Sequence, residues 1–279
     1  MQLPLFAPLQ LATKEHRSYA QARRPEMLVE RYIGDRVFAR VQLIDDVIKA
    51  EMPAGEVQEL FNLALTAILV PASNIKYGPG FGVGPEKQDE DVFGMFATKL
   101  NQVVANLALP EPHQRETRSN VFLGDSRELT KWIEPESVAL MITSPPYPGD
   151  HEYTKHSRLE LIFRGHATTL AEFQAIKRRM LRASTTNLYK EDQDRVPIAD
   201  MESIRHVTDL IQTRLDHDGA TSGFEKLYTK LVWEYFGGMY YALCECLEAL
   251  RPGGKIALLV SDSHAFKMVH KEPQETPVL

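Results

Sequence analysis

The sequence predicts an α/β fold, a partial parallel sheet joined to an N-terminal helical region, and three features carry that expectation. NVFLGDSREL and SVALMITSPPY contain short apolar runs that end in turn-forming residues, as strands buried on both faces do. The stretch SGFEKLYTKLVWEYFGGMYYALCECLEAL has a helical stripe of Phe224, Leu227, Leu231, Phe236, Tyr240, Leu243, Leu247 and Leu250. It passes through Arg251-Pro252-Gly253-Gly254, a helix stop and tight turn, into the apolar run KIALLVS, which closes a strand–helix–strand unit.

Taken in order, residues 1–115 read as the helical region. GEVQELFNLALTAILV and DVFGMFATKLNQVVANLAL place apolar residues at three and four spacing, with Phe93, Phe96, Leu100, Val103 and Leu107 on one stripe. Between them PASNIKYGPGFGVGPEKQDE is too rich in Gly and Pro to be regular and is expected to be a loop or a partner-ordered segment. Residues 116–279 form the second domain, whose expected strands end at Gly124, Ile142 and Ser261. A polar insertion at 166–222 contains two surface helices, 170–182 and 200–215, the second with Asp200 as its N-cap. Gly237 and Gly238 either kink the long helix or permit close packing.

With 279 residues, 43% of them hydrophobic and 25% charged, the chain is long enough for one large domain or a domain with a helical annex. No internal repeat is visible, so solenoids and propellers are excluded. No run reaches the roughly 18–20 apolar residues of a membrane span, and MQLPLFAPLQLATKEHR has no basic segment before a long apolar core. A cytoplasmic protein without membrane contact is expected. Cys244 and Cys246 lie two apart in a helix, so their side chains diverge and a disulfide between them is disfavoured. The net charge of −6 means that any nucleic-acid site must be local. Lys177, Arg178, Arg179 and Arg182 are the densest basic cluster and the candidate contacts to a DNA backbone; Arg17, Arg23 and Arg24 form a smaller one. Each cluster reads first as a solvated helix face, with the phosphate contact as the alternative.

In a parallel sheet, ligands sit at the carboxyl ends of strands, which directs attention to Thr143-Ser144-Pro145-Pro146-Tyr147. Two consecutive prolines can continue neither strand nor helix, and they leave the carbonyls of Ser144 and Pro145 without local partners. Such a rim of acceptors beside an aromatic ring suits a planar group with an exocyclic amine: the oxygens accept from the NH2 while Tyr147 stacks.

TSPPY resembles the catalytic motif of the DNA amino-methyltransferases, which methylate the exocyclic amine of cytosine or adenine with S-adenosylmethionine. The run from Leu123 to Gly165 and LRPGGKIALLVSDS near the end are similar to the same family, and the likeness covers most of residues 60–270. It implies a Rossmann-like methyltransferase sheet, with Ser144, Pro145, Pro146 and Tyr147 as the catalytic residues. Asp125, in the GDS sequence, matches the acidic residue that contacts the cofactor adenine, and Gly124 and Thr143 are assigned to the same cofactor. Asp125 could otherwise be a helix N-cap. Tyr153 and the run Arg158-Leu159-Glu160-Leu161 match a recurrent pattern, and Tyr153 is a second candidate to stack on the base. The Ser form of the motif leans toward cytosine N4 over adenine N6. Asp150, His151, Glu152 and His156 fit no zinc spacing, and the family needs no metal. Asp262 and Ser263 read as a turn after the last strand.

One departure from the family pattern stands out. Its Gly-rich first loop is not found: the glycines at 78, 80, 82 and 84 are spaced wrongly and do not follow a buried strand. A second polypeptide or a missing segment carrying that loop is therefore expected as a partner beside DNA. The alternatives are a degenerate, non-catalytic homologue that binds nucleic acid through the TSPPY rim, or an enzyme whose cofactor loop is not recognisable.

Overall fold

The computed structural model describes residues 13–28, 30–77, 81–87, 89–108, 119–149, 152–219 and 222–260. In chain order its elements are α1 (Thr13–Arg23), α2 (Asp35–Glu51), α3 (Glu56–Ala72), β1 (Ile75–Tyr77), β2 (Phe81–Val83) and α4 (Val92–Leu107). There follow β3 (Val138–Thr143), α5 (Tyr153–His156), α6 (Arg158–Phe163), α7 (Leu170–Arg179), α8 (Glu202–His217), α9 (Tyr228–Ala249) and β4 (Leu250–Leu258). The chain is mixed α/β and mainly helical, with one small two-stranded parallel sheet. It divides into two units, residues 1–118 with 153–176, and residues 119–152 with 177–279. The segment 153–176, which the sequence places with the second domain, thus packs with the N-terminal helices.

The first unit is built on α2 and α3, whose apolar faces bury Phe38, Ile44, Ile48, Leu65 and Leu69. The stripe of α4 behaves differently along its length. Phe96 and Leu100 are buried, whereas Leu107 at the far end is exposed. Asp91 caps this helix, accepting from the Gly94 N–H at 2.9 Å. The Gly-rich segment is more regular than its composition suggests: β1 and β2 pair as an antiparallel hairpin, with Tyr77 opposite Phe81. Gly78, Pro79 and Gly80 themselves lie outside the described residues. Arg164, just after α6, holds its segment to the helices by donating to Thr66 Oγ1 at 2.6 Å and to Asp45 Oδ1 at 3.1 Å. The small basic cluster of this unit is neutralised locally. Arg24 pairs with Asp35 at 2.8 Å, and Arg17 and Arg23 each lie 3.6 Å from an aspartate.

In the second unit α8 and α9 share a core of Ile198, Ile204, Ile211, Leu215 and Val232. The N-cap of α8 is Met201, without a side-chain cap, and not Asp200. α9 is one continuous helix of 22 residues, so its glycine pair serves close packing and does not break it. The buried side of α9 carries Leu231, Val232, Glu234, Tyr235, Gly237, Gly238 and Ala242, while Phe236, Tyr240 and Leu247 of the expected core stripe face outward. Cys244 and Cys246 are free thiols.

β3 and β4 pair in parallel, with Leu140 opposite Lys255 and Thr143 opposite Leu258. Between Val138 and Leu140 the partner advances from Leu250 to Lys255, so three extra residues of the Arg-Pro-Gly-Gly turn bulge out of the ladder. Gly253 takes φ 78° there, a conformation that favours glycine. The strand expected to end at Gly124 is not formed. Residues 119–125 have no strand partner, and Val121 and Leu123 are 98% and 91% exposed. An extended segment becomes a strand only by pairing with another, and among the described residues none lies beside it. Among the described residues the parallel sheet therefore has two strands, which do not by themselves make the expected Rossmann-like sheet.

Glu234 is fully buried on α9. Its Oε2 accepts the Arg195 N–H at 3.3 Å, and Arg195 Nε stands 3.9 Å from Oε1. Burial raises its pKa above the ordinary carboxylate value, and the Arg195 hydrogen bond only partly opposes that. The folded state thus holds this proton more tightly than the unfolded state does. The resulting cost is absent below the unfolded pKa, grows as pH rises through the folded one, and is complete above it. Glu234→Gln keeps an acceptor for Arg195 without the charge. It is expected to raise the thermal midpoint at pH 7 by roughly 2–4 °C, equivalent to about 1 kcal/mol in a domain of this size. The gain should vanish near pH 3, and calorimetry at the two pH values checks it.

Candidate functional site

The candidate site lies where β3 delivers the chain to its proline pair. Thr143 closes the strand, and its carbonyl accepts the Leu259 N–H at 2.9 Å, which ties the start of the loop to the end of β4. Pro145 is buried and so anchors the turn, while Ser144 remains exposed and Pro146 and Tyr147 half-buried. The Tyr147 hydroxyl lies 3.3 Å from Ser144 Oγ and donates to the Leu259 carbonyl at 3.4 Å. Ring and hydroxyl are thus held together at the carboxyl edge of the sheet. Among the described residues, no backbone N–H donates to the carbonyls of Ser144 and Pro145. The loop ends at Gly149, φ 84°, whose N–H donates to the Ala183 carbonyl at 2.8 Å.

Asp125 opens a 3₁₀ turn, Ser126–Lys131, and accepts the Arg127 N–H at 3.0 Å, so it does act as a cap. Its carboxylate is also gripped by the Arg127 side chain, Nε to Oδ1 at 3.0 Å and Nη2 to Oδ2 at 2.7 Å. Arg127 continues the network to Asp194 Oδ2 at 3.0 Å and to the Arg179 carbonyl at 3.1 Å. Burial would raise the Asp125 pKa, but the hydrogen bonds and charge of Arg127 outweigh it and hold the carboxyl below its ordinary range. A depressed folded pKa gives stability that is complete above the unfolded value, near pH ~4, and is lost as pH falls through the folded one. Asp125→Asn is therefore expected to be destabilised at neutral pH and to lose less further stability on acidification than the parent. A urea midpoint series from pH 6 to pH 2 checks the slope. Gly124 lies against the Trp132 indole, where an added Cβ would come within 2.5 Å of Nε1. The 3₁₀ turn is fixed to α9 through Glu245 Oε2, which accepts from the Thr130 amide and hydroxyl at 2.9 and 2.7 Å.

No family model, curated protein or solved structure matches the chain. Function has to be read from the site itself.

The site brings Ser144, Pro145, Pro146 and Tyr147 together with Thr143, all within one loop. Tyr153 begins α5 in the other unit, with its ring half-exposed. The basic cluster is largely committed to internal partners. Lys177 pairs with the buried Glu152 at 3.1 Å, and the buried Arg182 pairs with Asp192 at 2.9 Å. Arg178 stacks on the Tyr189 ring, 4.0 Å from its centroid, and with Arg179 remains exposed. Arg178 also lies 3.9 Å from Glu191 Oε2, an exposed pair that leaves both cations open to solvent. His156 stacks on Tyr77, with ring centroids 5.0 Å apart. Among the described residues, no three His, Cys, Asp or Glu side chains gather as metal ligands do. Asp150, His151, Ser261, Asp262 and Ser263 lie outside the described residues. Sequence reasoning missed Arg127 and Asp194. The spacing of Asp125 and Arg127 in GDSREL was a readable signal for a turn pair, whereas nothing local announces a partner 67 residues away.

Proposed function

We propose that the chain is the catalytic half of a site-specific DNA methyltransferase, moving a methyl group from S-adenosylmethionine to the exocyclic amine of cytosine (N4), or less readily adenine (N6). The observation that carries this reading is the loop geometry at the end of β3. Ser144 Oγ and the Tyr147 hydroxyl stand 3.3 Å apart beside two proline-freed carbonyls. An amine entering there donates its hydrogens to Ser144 Oγ and the Pro145 carbonyl. Its lone pair is drawn out of conjugation with the ring, which makes the nitrogen nucleophilic without a strong base. The base must leave the duplex stack to reach the loop, and the Tyr147 ring compensates by stacking.

The chain's own residues do not make a full seat for S-adenosylmethionine. Both carboxylate oxygens of Asp125 are held by Arg127, Gly124 is covered by Trp132, and the Gly-rich segment joins the antiparallel pair β1–β2 and not a parallel strand to a helix. This supports a partner or further segment that brings the missing loop. It also favours a second reading, a non-catalytic module that holds an extruded base on the TSPPY rim. Base-resolution methylation mapping separates the two. Host DNA from cells with the chain is expected to carry N4-methylcytosine at one fixed short sequence, and cells with Ser144→Ala are expected to show a reduced mark there. Unmethylated DNA in both, with binding of single-stranded DNA retained, would leave the module reading.

A further inference from the structure

The arginines of the first unit are mostly answered by acids. Arg17, Arg23, Arg24, Arg36, Arg40 and Arg164 each stand within 3.9 Å of an aspartate. Arg31 and Arg158 are the exceptions among its described arginines, and they meet at one ring. The guanidinium carbon of Arg31 lies 5.2 Å from the Tyr32 centroid and that of Arg158 lies 5.8 Å from it. Tyr32 is buried and its backbone is pinned: Asn74 donates its N–H to the Tyr32 carbonyl at 2.8 Å and its side-chain amide to the Arg31 carbonyl at 3.1 Å. Arg158 also leans on the buried Phe173, 5.1 Å from that centroid, and its Nε is buried without an acceptor. Glu160, two positions on in α6, turns to another side of the helix; burial raises its pKa, and no cation opposes that.

The second unit holds the same arrangement in neutralised form. Arg178 and Arg182 lie 4.0 and 5.1 Å from the Tyr189 centroid, but Glu191 faces Arg178 at 3.9 Å and Asp192 holds Arg182 at 2.9 Å. Two guanidinium groups on one ring repel each other, and acids offset that cost. At Tyr32 no described residue supplies the acid.

We propose that Arg31 and Arg158 form a phosphate-binding site in the helical unit, and that its ligand is the phosphodiester backbone of a nucleic-acid strand. The aromatic seat fixes the Arg158 fork before the ligand arrives, and a guanidinium matches two phosphate oxygens at once. Arg31 is exposed and Arg158 half-buried, so the pair lies open at the surface. An open pair suits a strand held at several phosphates, whereas a free phosphate gains tight binding from an enclosing cradle of N–H groups. The inference rests on the methyl-transfer reading only in taking nucleic acid as the source of the phosphate.

The test is binding of a fluorescent duplex oligonucleotide to the full chain over a salt series, with inorganic phosphate and AMP as competitors. Arg31→Gln with Arg158→Gln is expected to weaken binding at least tenfold and to flatten the slope of log affinity against log salt by about two, one for each lost phosphate contact. Arg31→Gln, on an exposed position, is expected to flatten it by about one with an unchanged melting curve, and it carries the test alone if the double variant fails to fold. Arg17→Gln removes a cation already paired with Asp35 and is expected to leave the slope unchanged. An unchanged slope in the Arg31 variant would overturn the proposal, and so would an equal loss in Arg17→Gln, since overall charge would then explain both. Binding of inorganic phosphate or AMP without binding of the oligonucleotide would overturn the strand as ligand, and a parent chain that binds none of the three would overturn the site. Arginine-dependent binding without any methyl mark on host DNA would uphold the site and sink only the enzymatic reading, whereas a Ser144-dependent methyl mark with arginine-independent binding would do the reverse.

Discussion

Gly237→Ala is expected to destabilise the second unit by about 3 kcal/mol or more, lowering its thermal midpoint by roughly 6–12 °C. A Cβ at this position would sit 2.0 Å from the Asp194 carbonyl oxygen and 2.6 Å from the Arg195 nitrogen. Both are backbone atoms, which cannot turn aside as a side-chain tip can. Either α9 or the 194–195 segment has to move. That segment is held by the Arg127 bond to Asp194 at 3.0 Å and by the Arg195 amide on Glu234 at 3.3 Å, so its displacement breaks a partly buried ion pair and exposes a buried carboxylate to an unmatched cavity. Alanine's better helix propensity, about 1 kcal/mol over glycine, is too small to compensate. Gly238 is the internal control. Its added Cβ would meet Leu181 Cγ at 3.2 Å and Asp194 Oδ2 at 3.4 Å, side-chain atoms that can give way by a few tenths of an ångström. Gly238→Ala is expected to lie within about 1 kcal/mol of the parent because packing cost and propensity nearly cancel. Denaturant unfolding of both variants decides the point, and equal effects would show that α9 does not depend on that close approach.

The glycine pair also shows how far the fold was legible in the sequence. The helix around it was readable from apolar spacing, and so was the existence of close packing as one of two options. What the glycines pack against was not, because the 194–195 segment lies in a polar stretch with no periodicity to mark it. The same division runs through the sheet. SVALMIT and KIALLV were readable as strands, and they pair in parallel. NVFLG has the same apolar signature and forms no strand, because a strand is a property of two chains of backbone and its neighbour is absent among the described residues. The α9 stripe misled for a related reason. Periodicity identifies an apolar face but not what covers it, and Phe236, Tyr240 and Leu247 are outward in this chain.

At the candidate site, residues close in sequence were legible and those far apart were not. The TSPPY loop carries its own geometry, since proline pairs leave few conformations. Charge was harder to read. Lys177 and Arg182 belong to the densest basic run, but Glu152 and Asp192 neutralise them, and only the fold could reveal these acids as partners. In the first unit Arg17, Arg23 and Arg24 meet Asp35 and Asp46 in the same way. Basic composition along a helix therefore says little about phosphate binding until the acids on neighbouring segments are placed.

On the proposed methyl-transfer reading, Tyr147→Ala is expected to abolish amine methylation while leaving S-adenosylmethionine affinity within a few-fold. The ring is half-buried at the carboxyl edge of β3, beside Ser144 and against the Leu259 carbonyl, so its removal takes away both the stacking platform and one wall of the acceptor rim. A stacked base is stabilised by about 1–3 kcal/mol, so its loss alone lowers the extruded population by roughly 5- to 150-fold, and the missing rim wall misplaces the amine in what remains. Tyr147→Phe isolates the hydroxyl. That group makes only two long hydrogen bonds, 3.3 Å to Ser144 Oγ and 3.4 Å to the Leu259 carbonyl, so the phenylalanine variant should retain activity within about tenfold. Ser144→Ala acts on the amine and leaves the stacking ring in place. It removes one acceptor from a charge-sensitive contact, an effect of about 2–4 kcal/mol on the barrier or roughly 30- to 1000-fold in rate, while the Pro145 carbonyl remains. Single-turnover methylation of a duplex oligonucleotide, paired with cofactor binding by calorimetry, measures all three variants. If Tyr147→Ala lowered cofactor affinity as much as it lowered rate, the ring would belong to the cofactor and not to the base. If Ser144→Ala left the rate unchanged, the proline-freed carbonyls alone would hold the amine.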